Sequence, residues 1–91
     1  MSNEKVWMDI NHNKFSLNEI SDSYLINILA FVKNGRGYVD YLNEYKIRKL
    51  FKEAEERGLK HSYNVNEAIK AVNVKKRALK KFQSMGEWEM L

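Results

Sequence analysis

The chain of 91 residues contains no cysteine and no proline, only four glycines and only two histidines. Without cysteine there are no disulfides, no thiolate metal ligands and no thiol nucleophile, and this usage fits a reducing compartment, so the cytoplasm is the expected location. Without proline no predicted helix carries an internal breaker of that kind. No run of 18 apolar residues exists and the first five residues lack a basic start followed by an apolar stretch, so neither a membrane span nor a signal peptide is expected.

What is present is enough to fold: 44% of residues are apolar and 12% aromatic, against 31% charged. A chain this short supports one core, and we expect a single domain over residues 1–86, with 87–91 a tail that is docked or loose. The net charge of +4 is uneven. Residues 1–45 hold four Lys/Arg against six Asp/Glu, and residues 46–91 hold twelve against six. An acidic partner for the second half is one reading, and a solvated helix face is the other.

Val6-Trp7-Met8-Asp9-Ile10 and Phe15-Ser16-Leu17 flank a polar Asn11-His12-Asn13-Lys14 stretch, which predicts a β-hairpin. Ser21-Asp22-Ser23 offers caps for a helix that is apolar almost throughout Tyr24 to Val32 and stops at Asn34-Gly35. Gly35-Arg36-Gly37 reads as a flexible joint, with anion binding the lesser alternative. A second helix is expected from Tyr38 to Arg57, on the 3.6-residue spacing of Val39, Leu42, Ile47, Leu50, Phe51 and Ala54, with Gly58 as its stop and Asp40 an alternative N-cap. Asn64 and Glu67 have capping-box spacing and open a third helix. Asn73 either bends this helix or divides it in two. The fold class is therefore α+β and helix-rich: a short N-terminal β-hairpin packed on three or four α-helices.

The strand pair led by Trp7, the run Ser21-Asp22-x-x-Leu25-x-Asn27-x-Leu29 and the later Glu53-x-x-x-Arg57-Gly58-Leu59 together resemble small uncharacterised bacteriophage and prophage proteins. The resemblance spans residues 7–59. It implies a viral accessory product that binds, and inhibits or redirects, a host protein.

No constellation of reactive side chains is legible. His12 and His61 lack a relay partner and read as exposed and unpaired. Ser16, Ser21, Ser23, Ser62 and Ser84 lack a nucleophile elbow, and Glu53, Glu55 and Glu56 are balanced by Lys49, Lys52 and Arg57. We expect no enzyme, no metal and no cofactor.

Two surfaces stand out instead. Tyr38, Tyr41 and Tyr45 recur at i, i+3 and i+7 of the expected second helix, beside Arg48, and with Trp88 they form the expected protein-binding set. Lys75, Lys76, Arg77, Lys80 and Lys81 place five cations in seven residues, the alternative being phosphate contacts on nucleic acid. Self-association into a homodimer is left open by the chain's small size.

Overall fold

A computed structural model of the chain describes the backbone of residues 4–89 and the side chains of residues 4–80. The expectations for Lys81, for the Trp88 side chain and for a docked or loose tail at 87–91 fall outside the described side chains.

Val6 and Trp7 are adjacent, yet both side chains are buried, which a regular strand with alternating faces does not allow. The irregularity that permits it is a bulge. Strand β1 (Lys5–Met8) pairs antiparallel with β2 (Lys14–Ser16), and the register shifts between the Lys5↔Ser16 and Trp7↔Phe15 pairs. The connection, residues 9–13, is one residue longer than the four the sequence predicts. Asp9 leaves the strand and becomes the turn's organiser, its Oδ1 accepting from the backbone N–H groups of Asn11 and Asn13 at 2.9 Å each. His12 takes the left-handed conformation at φ 65°. Ile10, expected within a strand, is left on the turn and is 81% exposed.

A 3-10 turn at Leu17–Glu19 leads to helix α1 (Asp22–Lys33), whose N-cap Ser21 accepts from the Tyr24 N–H through its hydroxyl. Leu25, Ile28, Leu29 and Val32 form one stripe at i, i+3, i+4 and i+7, and all four are buried. Helix α2 (Glu44–Glu56) contributes Ile47, Leu50, Phe51 and Ala54, and helix α3 (Val65–Glu89) contributes Ala68, Ile69 and Val72. Burying each large apolar side chain is worth about 1.5–3 kcal/mol, so the three stripes closing on one another supply most of the driving force. The hairpin completes the core with Val6 and Trp7.

The sequence reading is corrected at the start of α2, and of the two forms it leaves open for α3 the undivided one is found. Residues 38–42 are not part of α2: the chain turns there, and Asn43 is the N-cap, its Oδ1 accepting from the Lys46 N–H at 2.8 Å. Val39 and Leu42 are buried as that reading requires, but they reach the core from a turn. At the other end, α3 runs through Asn73 without interruption. Asn and Val each cost only a few tenths of a kcal/mol in a helix, too little to break one whose first turns are held by Ala68 and Val72.

Gly35-Arg36-Gly37 is packed tightly. Gly35 N–H donates to Val32 O and Arg36 N–H to Phe31 O, which closes α1 with paired terminal bonds around a left-handed glycine. A Cβ on Gly35 would stand 2.9 Å from the Ala71 carbonyl oxygen, so this glycine sets how closely α1 approaches α3. A Cβ on Gly37 would meet Trp7 Cη2 at 2.8 Å. Among the described residues no helix is long and apolar enough to cross a membrane.

Candidate functional site

The Tyr38, Tyr41, Tyr45 row expected on one helix face does not exist, because the first two belong to the turn before α2. Their hydroxyls face the hairpin: Tyr38 OH donates to Ile10 O and Tyr41 OH to Lys5 O, both at 3.0 Å. These two side chains pin the hairpin to the helical body, Tyr41 at the start of β1 and Tyr38 on the turn that follows it. Tyr45 alone remains on α2 and is 47% exposed, with Lys49 Nζ 5.2 Å from its ring centroid. Arg48 is also exposed, and its Nε donates to Glu44 one helical turn away at 2.9 Å. Tyr45 and Arg48 thus share a shallow face lined chiefly by charged side chains, including Lys52, Glu53 and Glu56.

The best-formed apolar recess lies elsewhere, between the hairpin and α1, with a volume of about 730 Å³. Trp7 and Ile28 are buried beside it, while Ile10 and Phe31 stand on its border, Phe31 46% exposed. Trp7 is held in place by its own polar atom, since Nε1–H donates to Tyr24 OH at 2.8 Å and leaves no indole donor unmet. Gly37 supports the ring from beneath. Its polar side chains are Asp9, Asn27, Arg36 and the hydroxyl-bearing Tyr24 and Tyr38, both hydrogen-bonded within the fold, and the Arg36 guanidinium carbon lies 5.8 Å from the Phe31 ring centroid. A concave apolar surface with a sparse polar border is the composition of a binding site.

Sequence reasoning missed this recess. Phe31 reads as one more core residue of an apolar helix, and Ile10 as a strand residue. The available signal was that Phe31 falls outside the stripe set by Leu25, Ile28, Leu29 and Val32.

The basic segment is divided by the fold. Lys75, Arg77 and Lys80 are exposed on α3, whereas Lys76 is half-buried and donates to the Leu42 carbonyl of the turn before α2. Lys46 donates to the neighbouring Tyr41 carbonyl at 2.9 Å and lies over that residue's ring. Burial lowers the Lys46 pKa, Lys14 and Lys76 lower it further, and Glu4 opposes them. Burial likewise raises the Tyr41 phenol above its ordinary value.

The histidine reading is half corrected. His12 is exposed, though its ring lies 4.9 Å from that of Tyr38. His61 is neither fully exposed nor unpaired: Nδ1 accepts from the Tyr63 N–H at 3.1 Å, and the ring stacks on Tyr63 and meets Phe51 edge-on. Among the described residues no three His, Cys, Asp or Glu side chains gather as a metal site would require. No protein-family model matches this chain, and neither does a curated protein or a solved structure.

Proposed function

We propose that the chain is a protein-binding module of the accessory type found in bacteriophages, acting in the bacterial cytoplasm by covering a functional surface of a host protein. The exposed pair Ile10 and Phe31, bordering the recess over Trp7, is the observation that carries this reading. Large apolar side chains left in water beside a preformed recess cost solubility, and a partner that offers one or two apolar side chains removes that cost. The Tyr38 hydroxyl, the Trp7 to Tyr24 hydrogen bond and the close approach of Gly37 to the Trp7 ring support the walls of the recess. A site ordered before binding loses little entropy when filled.

Support for the phage and host assignment comes from the Ser21-Asp22-x-x-Leu25 and Glu53-x-x-x-Arg57-Gly58-Leu59 runs. The binding surface moves from the Tyr38/Tyr41 row to the Ile10/Phe31 recess, with Tyr45 and Arg48 a separate exposed face. The test is affinity capture from bacterial lysate with the unmodified chain and with an Ile10→Ser/Phe31→Ser double variant. The unmodified chain should retain one stoichiometric protein that the variant loses while keeping its helical circular dichroism. Equal capture by both would reject the recess as the site.

A further inference from the structure

Three ammonium groups from three elements converge on the turn that precedes α2. Lys46 of α2 has Nζ 3.5 Å from the Tyr41 ring centroid, Lys14 of β2 has Nζ 5.5 Å from the same centroid, and Lys76 of α3 donates to the Leu42 carbonyl. One turn along α3, Lys80 and Arg77 join Lys76 and Asp40 around a surface recess of about 460 Å³. Five cations thus occupy adjoining surface, and Glu4 and Asp40 are the carboxylates placed there among the described residues.

We propose that this face binds the phosphates of a nucleic-acid backbone. Lysine ammonium carries three donors, so Lys46 and Lys76 keep further N–H groups for an anion after each has given one to a carbonyl. The same carbonyl bonds hold those side chains in place, which reduces the ordering cost that flexible lysines otherwise incur on binding. Lys14 and Lys76 already disfavour the charge on Lys46, and an anion among the three would relieve that repulsion. The cations lie on three elements, and on α3 Lys76 and Lys80 are separated by about 6 Å along the helix axis. That extended layout suits a chain of repeated charges better than one small anion. The described side chains that form this face are chiefly lysine and arginine, which suit phosphate contacts, so sequence-independent binding is expected.

This inference does not rest on the protein-binding reading, which uses a different set of residues. The test is fluorescence anisotropy of a labelled duplex DNA of random sequence, titrated with the full chain across a range of salt. Neutralising about four phosphates predicts a fall in affinity of about 100-fold between about 50 and 200 mM salt. Lys14→Gln, which removes an ammonium near the Tyr41 ring without removing a bond to a carbonyl, should weaken low-salt binding several-fold and lower the salt slope by about 1. Glu4→Gln should strengthen binding. Lys60→Gln, an exposed lysine beyond α2, should leave the affinity nearly unchanged. Absence of binding at low salt, indifference to salt, or equal effects of Lys14→Gln and Lys60→Gln would overturn the proposal.

Discussion

Arg57 Nη1 donates to Asp22 Oδ1 at 2.9 Å, which joins the C-terminal cap of α2 to the first residue of α1. The same guanidinium donates through Nε to Glu53 at 2.7 Å and through Nη2 to the Leu17 carbonyl at 2.9 Å. Bonding to Glu53 is the main cause raising the Arg57 pKa, with Asp22 adding to it against the cost of burial. The Ser21-Asp22 and Glu53-x-x-x-Arg57-Gly58-Leu59 runs, 31 positions apart from Asp22 to Glu53, are therefore two halves of one clamp, and their pairing has a structural explanation.

Arg57→Ala should destabilise the domain by about 2 kcal/mol, because it leaves a half-buried Glu53 carboxylate without its donor and removes one of two bonds to the Leu17 carbonyl, which keeps the Ile20 N–H. Asp22→Asn should cost less than about 1 kcal/mol, since that carboxylate is 68% exposed. Urea titration of both variants checks the order; equal losses would mean that Glu53 and Leu17 contribute nothing.

Gly37→Ala should be more damaging than Gly58→Ala. Both positions have positive φ, at 95° and 69°, and each substitution incurs about 1–2 kcal/mol of backbone strain. At Gly58 nothing lies within 4 Å of the added Cβ, whereas at Gly37 the buried Trp7 ring must move. Denaturation midpoints test the difference, and a change in Trp7 fluorescence should accompany Gly37→Ala only.

Much of this architecture is legible in the chain. Ser21 and Asn64 cap the helices they were expected to cap, Asn64 Oδ1 accepting from the Glu67 N–H at 3.1 Å, and Gly58 follows the end of α2. The start of α2 was misread because Val39 and Leu42 satisfy helical spacing while being buried from a turn. Asn43, a strong capping residue directly before Glu44, was the competing signal. The recess was illegible for a different reason: Ile10, Phe31 and Trp7 belong to separate elements, and only the packing of hairpin against α1 brings them together. The same holds for Lys14, Lys46 and Lys76, of which only Lys76 lay in a recognisable basic run.

Acid should loosen the hairpin through Glu19, whose pKa is lowered from 4.5 to about 2, chiefly by its bond to Lys5 and then by Ser16. Because the folded value lies below the unfolded one, this carboxylate's contribution is complete above about pH 4.5 and is lost as the pH falls towards 2. Glu19→Gln should therefore flatten the pH dependence of stability within that window and leave it unaltered near neutrality. The pair is exposed, so added salt should shrink the effect.

The most direct test of the recess as the working surface is amide and indole chemical-shift mapping on the labelled chain with its captured partner. The account predicts that perturbations centre on the Trp7 indole N–H, Ile10, Asn27, Phe31 and Gly37. Perturbations confined to Tyr45, Arg48 and Lys52, with the Trp7 indole unmoved, would contradict it.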